Sequence, residues 1–332
     1  MDIEIQPVGT ISHEGRKADC EPAQYPVFSC VKNDHFFLNS WYRHYKSLGF
    51  GPFYIVDDGS EVSVSKSLPF PDVHVFTPTS GSFRSSKTAW LKTLMERFAH
   101  EGQWVLTVDA DEFLDPPTSS IRDALKEYES DGRAAVPGML VDMLPDLAAL
   151  EGAEADCSDM AVVFCRHLFG ARAGQGAYAK SPPVRWAFGR GWRNSFYIDA
   201  RYQLFGTIDV LRKIPLFRYR HDIRLNQGFH DLHFNEVGAL KRKSWSGPVF
   251  PIRHYKLAKL FYENLRGSLK DDPAISEAYH ARTAENIAAM AAMDLPLIKR
   301  NIEKLQTVCY DKNVFFRRSR VLSGWIRSVL FA

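Results

Sequence analysis

Trp104-Val-Leu-Thr-Val108, followed at once by Asp109-Ala-Asp-Glu-Phe113, is the stretch that decides the fold. An unbroken apolar run of this length reads as a buried strand, and it ends in a cluster of carboxylates. Two runs upstream end in a similar way. Tyr25 to Lys32 (YPVFSCVK) leads into Asn33 and Asp34, and Pro52 to Val56 (PFYIV) runs into Asp57-Asp58-Gly59-Ser60. Val73 to Thr77 is a fourth strand. Helical patterns lie between them. Asn33 or Asp34 can cap a helix carrying Leu38, Trp41, Tyr42, Tyr45 and Leu48 on one face, with Gly49 as its stop. Ser85 or Ser86 opens another, with Leu91, Leu94, Met95 and Phe98 on one face and Gly102 at its end. A capping box at Ser120 to Asp123 starts a further helix, and Ala134 to Val141 is again apolar.

Strands alternating with helices imply an α/β fold with a largely parallel sheet and right-handed crossovers. Ligands of such sheets sit beyond the carboxyl ends of the strands. Three polar clusters fall at such ends here: Lys32-Asn33, Asp57-Asp58 and Asp109 with Asp111. They are distant in sequence, yet the topology brings them to one rim.

Each cluster suggests a chemistry. Residues two apart on a strand point to the same face, roughly 6.5–7 Å apart. Asp109 and Asp111 so placed converge on one hard cation, Mn²⁺ or Mg²⁺, which can neutralise a leaving diphosphate. The plain alternative is a solvated acidic loop. Asp57 and Asp58 can accept hydrogen bonds from a nucleobase or ribose; Asp-Gly-Ser is also simple turn chemistry. Lys32 and Asn33 end the first strand. Arg84 and Lys87 precede or begin a helix whose N-terminus favours phosphate, and are otherwise solvated bases. His254, in Arg253-His254-Tyr255, can complete a metal site or serve as a structural hydrogen-bonder.

Bulk properties exclude some classes. The 332 residues suffice for one large α/β domain or two small ones, and 45% hydrophobic with 24% charged residues is the balance of a folded protein. A net charge of +3 is too mild to argue for nucleic acid. Five cysteines with no C-x-x-C pair match a reducing compartment. The N-terminus has acids where a signal peptide needs bases, and no stretch approaches the about 20 apolar residues of a membrane span. The expectation is a cytoplasmic protein that touches at most the inner face of the membrane. Residues 314–331 (VFFRRSRVLSGWIRSVLF) supply the means: Leu322, Trp325, Ile326, Val329 and Leu330 form an apolar helical face beside Arg317, Arg318, Arg320 and Arg327. Such a helix either lies in an anionic membrane interface or docks on the protein's own core.

VKNDHFFLNSWYRHYKSLGFGPFYIVDDGS resembles the opening of the bacterial glycosyltransferase family 2 group that begins with a Lys-Asn-Glu segment. WVLTVDADEFL is similar to its Asp-x-Asp-Glu-Phe signature, and RHYKLAKLFYENLRG to its His-Tyr segment. LRKIPLFRYR and GFHDLH resemble intervening elements more loosely. The resemblance covers about residues 25 to 270, with Asp34 where the group has Glu, and Val62 where an acid often follows DDGS. It implies a GT-A fold, a nucleoside-diphosphate sugar donor and a divalent metal. It places Asp57 and Asp58 at the nucleoside, Asp109 and Asp111 at the metal and phosphates, and His254 near the metal. The expected organisation is an N-terminal extension (1–24), a GT-A domain (25–270) with a nucleotide-sugar half (25–115) and an acceptor half (116–270), and a C-terminal helical segment (271–332). The residues from Ala274 to Val308 read as helical.

The expected reaction is inverting transfer to a hydroxyl of a glycan or a lipid-linked acceptor. Asp109, Asp111, Glu112 and Asp231 are the catalytic candidates. No sequence feature selects the base among Asp222, His230, Asp231 and Glu112. A glycoside hydrolase would need carboxylates flanking the bond from opposite sides, and a nucleotidyltransferase would need a Gly-rich phosphate loop. The remaining alternative is a non-catalytic carbohydrate- or nucleotide-sugar-binding protein on a GT-A scaffold.

Overall fold

The computed structural model describes residues 5–7, 24–148, 164–168, 211–225, 229, 232–234, 238–239, 249–258, 300, 302–305 and 307–316. After a short β1 (Ile5–Pro7), the apolar runs form β2 (Val27–Val31), β3 (Phe53–Asp57), β4 (Val73–Pro78) and β5 (Trp104–Thr107). Every residue of β2, β3 and β5 is buried, as in parallel strands covered on both faces. Helix α1 (His35–Ser47) follows β2 and buries Leu38, Trp41, Tyr42 and Tyr45; Leu48 is buried just beyond its end, and Gly49 turns the chain at φ +90°. A single turn, α2 (Val64–Ser67), follows β3. Helix α3 (Phe83–Phe98) lays Leu91, Leu94, Met95 and Phe98 into a core with Phe28, Tyr54, Phe76 and Val105.

Two caps differ from expectation. α3 starts at Phe83, ahead of Ser85, because extended Ser82 takes the cap and its Oγ accepts the Ser85 N–H at 3.3 Å. Asp34 precedes α1 without a side-chain cap bond, while Asn33 adopts φ +56° and spends its Oδ1 on the Glu61 N–H at 2.9 Å. That bond ties the loop after β2 to the loop after β3.

The chain continues through β6 (Glu112–Leu114), α4 (Ile121–Ser130), β7 (Ala135–Asp142), β8 (Arg166–Leu168), β9 (Arg212–Arg218) and β10 (Ile223–Leu225). It ends with β11 (Leu232–Phe234), β12 (Gly238–Ala239), β13 (Phe250–His254) and β14 (Thr307–Cys309). Nine strands form one mixed sheet in the order β1-β4-β3-β2-β5-β9-β7-β13-β6. β2 pairs in parallel with β3 and β5, and β3 with β4; β9 is antiparallel to β5. Such an arrangement of parallel strands flanked by helices is compatible with a Rossmann-like fold. From β2 the chain builds outward to β3 and β4, then returns through α3 to β5 on the other side. The order therefore reverses between β2 and β5, and a crevice opens beyond the carboxyl ends of strands at such a point.

Residues 1–138, 213–252 and 311–332 form one compact unit, and 139–212 with 253–310 a second. In the first, Gly138 makes room for its neighbours in the sheet. A Cβ there would stand 2.5 Å from Ile252 Cδ1 and 3.2 Å from Pro215 Cδ. Gly138→Ala is expected to cost about 1–3 kcal/mol by overpacking, read as a fall in the urea midpoint. Adding Ile252→Val should recover part of it; an unchanged midpoint in the single variant removes the packing argument.

In the second unit β8 pairs antiparallel with β14. The Arg166 guanidinium bonds Thr307 Oγ1 and its carbonyl, both at 2.9 Å. Thr307 and Val308 were expected to close a helical segment and instead lie in a strand, as β-branched residues beside a partner strand favour. Within the same reading, residues 300, 302 and 303 are helical and 304–305 form a turn and a bend; its other residues lie outside the described residues.

Among the described residues no helix is long and apolar enough to cross a membrane. Of the basic tail, Val314 to Phe316 are described, in a helical turn at 312–316. Phe315 and Phe316 are buried, and Phe316 meets Phe250 edge-on at 6.1 Å. The apolar face from Leu322 to Leu330 lies outside the described residues.

Candidate functional site

β5 stops at Thr107, so Asp109 and Asp111 do not sit on a strand. They lie on a turn closed by the Glu112 N–H donating to the Asp109 carbonyl at 3.1 Å, after which β6 begins. The same-face spacing of a strand is thus replaced by a tight loop at the edge of β5. Side chains from β2 and α1 clamp this loop by its carbonyl oxygens. Ser29 Oγ donates to Val108 O at 2.7 Å, and Trp41 Nε1 to Asp109 O at 3.1 Å. Tyr45 Oη donates to Glu112 O at 2.8 Å and accepts the Leu114 N–H at 2.9 Å; a His44 ring nitrogen lies 2.8 Å from Leu114 O. The aromatic stripe of α1 reads as core in the sequence, but its polar tips also satisfy a buried turn. The signal for that was the choice of Trp and Tyr, which need hydrogen-bond partners when buried.

Two lysines meet the acids of this turn. Lys87, from α3, bonds Asp109 Oδ1, and Lys213, from β9, bonds Glu112 Oε1. Lys213 Nζ also stands 3.5 Å from Asp109 Oδ2. Burial, the largest influence on Lys213, would push its ammonium toward the neutral form; the charge of Glu112, then those of Asp109 and Asp111, reverse this and hold it raised. The ring of Phe229 lies 5.5 Å from Lys87 Nζ and 5.9 Å from Lys213 Nζ. Lys213 and Phe229 are the residues that reading the sequence missed as parts of a site. Both stand in the segments LRKIPLFRYR and GFHDLH, whose sequence shows no spacing that points to β5.

A second cluster joins the loops after β2, β3 and β4. Asp58 Oδ2 accepts from Lys32 Nζ and from the Phe83 N–H, both at 3.1 Å. The Asn33 N–H donates to Ser60 Oγ at 3.0 Å. Buried Asp57 accepts the Ser60 N–H at 2.9 Å and the Val64 N–H at 3.0 Å, so it organises the DDGS turn and the start of α2. Phe83 links the two clusters, because its N–H meets Asp58 while its ring lies 5.2 Å from Lys87 Nζ. The expected rim residues Lys32, Asn33, Asp57, Asp58, Lys87 and Asp109 therefore belong to one network of contacts. Arg84 is in the first turn of α3; its side chain lies outside the described residues.

In the second unit, buried His254 at the end of β13 has Nδ1 at 2.8 Å from Asp142 Oδ1. Asp222, in the first, accepts from Arg220 Nε at 2.8 Å and from a terminal guanidinium nitrogen at 3.0 Å. His230 and Asp231 lie outside the described residues. Buried Cys30 has its thiol pushed up by desolvation and so offers no thiolate.

No protein-family model matches the sequence, and no curated protein matches it. Among solved structures, a crystal structure of S. aureus TarS 1-349 aligns with a TM-score of 0.27 at 14% identity, covering 36% of this chain and 35% of that one. A crystal structure of S. aureus TarS aligns with a TM-score of 0.26 at 15% identity, covering 36% of this chain and 21% of that one. The alignments thus span about a third and about a fifth of the TarS chains.

Proposed function

We propose that this chain is a GT-A glycosyltransferase that moves a sugar from a nucleoside-diphosphate donor to a hydroxyl of a glycan or lipid-linked acceptor, with inversion and with a divalent metal. The observation that carries the reading is the Asp109–Glu112 turn at the switch point, coupled through Lys87 and Phe83 to the Asp58–Lys32 cluster. Carboxylates and ammoniums meeting at the carboxyl edge of a parallel sheet are what a diphosphate and its cation need.

Asp109 and Asp111 offer hard carboxylate oxygens on one turn, the donor type that Mn²⁺ and Mg²⁺ take, so these residues fit such an ion. When bound, the metal would supply the positive charge that stabilises the departing diphosphate. Lys87 is the cation that the chain itself can offer to phosphate oxygens. Glu112, closed against Lys213, positions that lysine. Asp58 and Asp57 face the nucleoside in this reading, with Lys32, Asn33 and Arg84 beside the donor. His254 is held through Nδ1 by Asp142, the pattern in which a carboxylate orients a histidine and raises its basicity toward a metal on Nε2. The base stays among the candidates named above, Asp231 included.

The test is a screen of nucleoside-diphosphate sugars for turnover with Mn²⁺ or Mg²⁺. Metal-dependent release of the nucleoside diphosphate from one donor is expected. Asp58→Ala, which removes the carboxylate proposed to accept from the nucleoside, should weaken binding of that nucleoside diphosphate about tenfold, the scale of a lost charged hydrogen bond. Binding without turnover would move the assignment to the non-catalytic alternative. No binding by any donor would remove the reading.

A further inference from the structure

Asp109 has an ammonium at each carboxylate oxygen: Lys87 on Oδ1 and, at 3.5 Å, Lys213 near Oδ2. These are the oxygens that a hard cation would take. Both ammoniums also face Phe229, which is buried and holds φ +56°. A bulky residue rarely adopts that conformation, and it persists where the surroundings over-determine it. The negative face of one ring thus steadies two like charges beside two carboxylates.

The two lysines are not equivalent. The Lys213 side chain is 5% exposed and bonded to Glu112, which is 1% exposed, so that pair is walled in. Lys87 is 11% exposed and its partner Asp109 is 25% exposed, so that pair opens toward solvent. Lys87 also sits near the start of α3, where the helix dipole favours an anion.

We propose that Lys87 is an exchangeable counterion. It neutralises Asp109 while the turn is without metal. It leaves Asp109 when a divalent cation binds there, and its ammonium passes to the anionic oxygens of the diphosphate that accompanies the cation. Lys213 stays on Glu112 throughout. The step moves no proton and breaks no covalent bond. It rests on Asp109 being a metal ligand, as proposed above, and it gives Lys87 opposite effects on two ligands.

The experiment uses the full chain as wild type, Lys87→Met and Lys87→Arg. Mn²⁺ binding is followed by the electron paramagnetic resonance signal of the free ion. Inorganic pyrophosphate binding is followed by calorimetry at saturating Mn²⁺. Removing the competing charge should tighten Mn²⁺ on Lys87→Met by about tenfold, and the same variant should bind pyrophosphate about tenfold more weakly. Lys87→Arg should stay near wild type in both. A lysine that only braces the fold would weaken both or change neither. Mn²⁺ affinity that is equal, weaker or undetectable in Lys87→Met overturns the proposal, and so does unchanged pyrophosphate binding. These readouts need no sugar. Both shifts seen without turnover of any nucleotide sugar would sink the transferase reading and leave this one standing.

Discussion

Asp111→Ala is expected to lower donor turnover by about 10²- to 10³-fold, the scale measured when one group that stabilises transition-state charge is removed. The fold should survive. The bonds that hold its turn run through main-chain oxygens: Glu112 N–H and Trp41 Nε1 both donate to the Asp109 carbonyl, and Tyr45 donates to that of Glu112. Asp111 is only partly buried, so shortening it opens no core cavity. Asp109 differs, because its carboxylate carries Lys87 and lies near Lys213, and its loss would disturb charge balance as well as the proposed metal site. Asp111 is therefore the cleaner test. Steady-state turnover with Mn²⁺, alongside the thermal midpoint, checks it. An excess of chelator on the wild-type chain should reproduce the loss. A variant or a chelated enzyme turning over at the wild-type rate would remove the metal from the mechanism.

The parallel half of the sheet was legible in the sequence because its strands are short, continuously apolar and followed by polar ends. YPVFSCVK, PFYIV and WVLTV each yield a buried strand, and the apolar faces of α1 and α3 are buried as their spacing predicts. What the pattern could not show was β9, which enters beside β5 from more than a hundred residues downstream. Its segment carries Arg212, Lys213 and Arg218, and charged residues argue against a central strand. Two of these charges are accommodated singly: Arg218 lies 5.4 Å from the Trp104 ring and 3.6 Å from Glu129, and Lys213 meets Glu112. The pairing of a base with a distant acid has no period in sequence. The same holds for the Asp109–Glu112 turn. Its residue types were legible, while its geometry depends on Ser29, Trp41 and Tyr45 arriving from other elements.

Lys213→Met should destabilise the chain by about 3–5 kcal/mol, the cost of breaking a buried ion pair from one side. Lys213 and Glu112 are both buried, and the substitution leaves the Glu112 carboxylate without its ammonium in a place that water does not reach. The charged acid is then costly, and Phe229 loses one of its two cations. Adding Glu112→Gln removes the stranded charge, so the double variant should recover most of the loss; well-packed neutral groups often replace a buried ion pair at little net cost. The pair's coupling follows from a cycle of the two single variants and the double. The sign with pH is also fixed. Lys213 is raised above its ordinary value by Glu112 and Asp109 against burial. Its contribution is therefore complete below about pH 10, where an unfolded lysine is charged, and fades only as pH climbs through the higher folded value. Urea unfolding at pH 7 of the wild type, the two single variants and the double variant measures the cost and the recovery. A single variant as stable as wild type would mean that the Lys213–Glu112 pair does not hold β9 to the Asp109 turn.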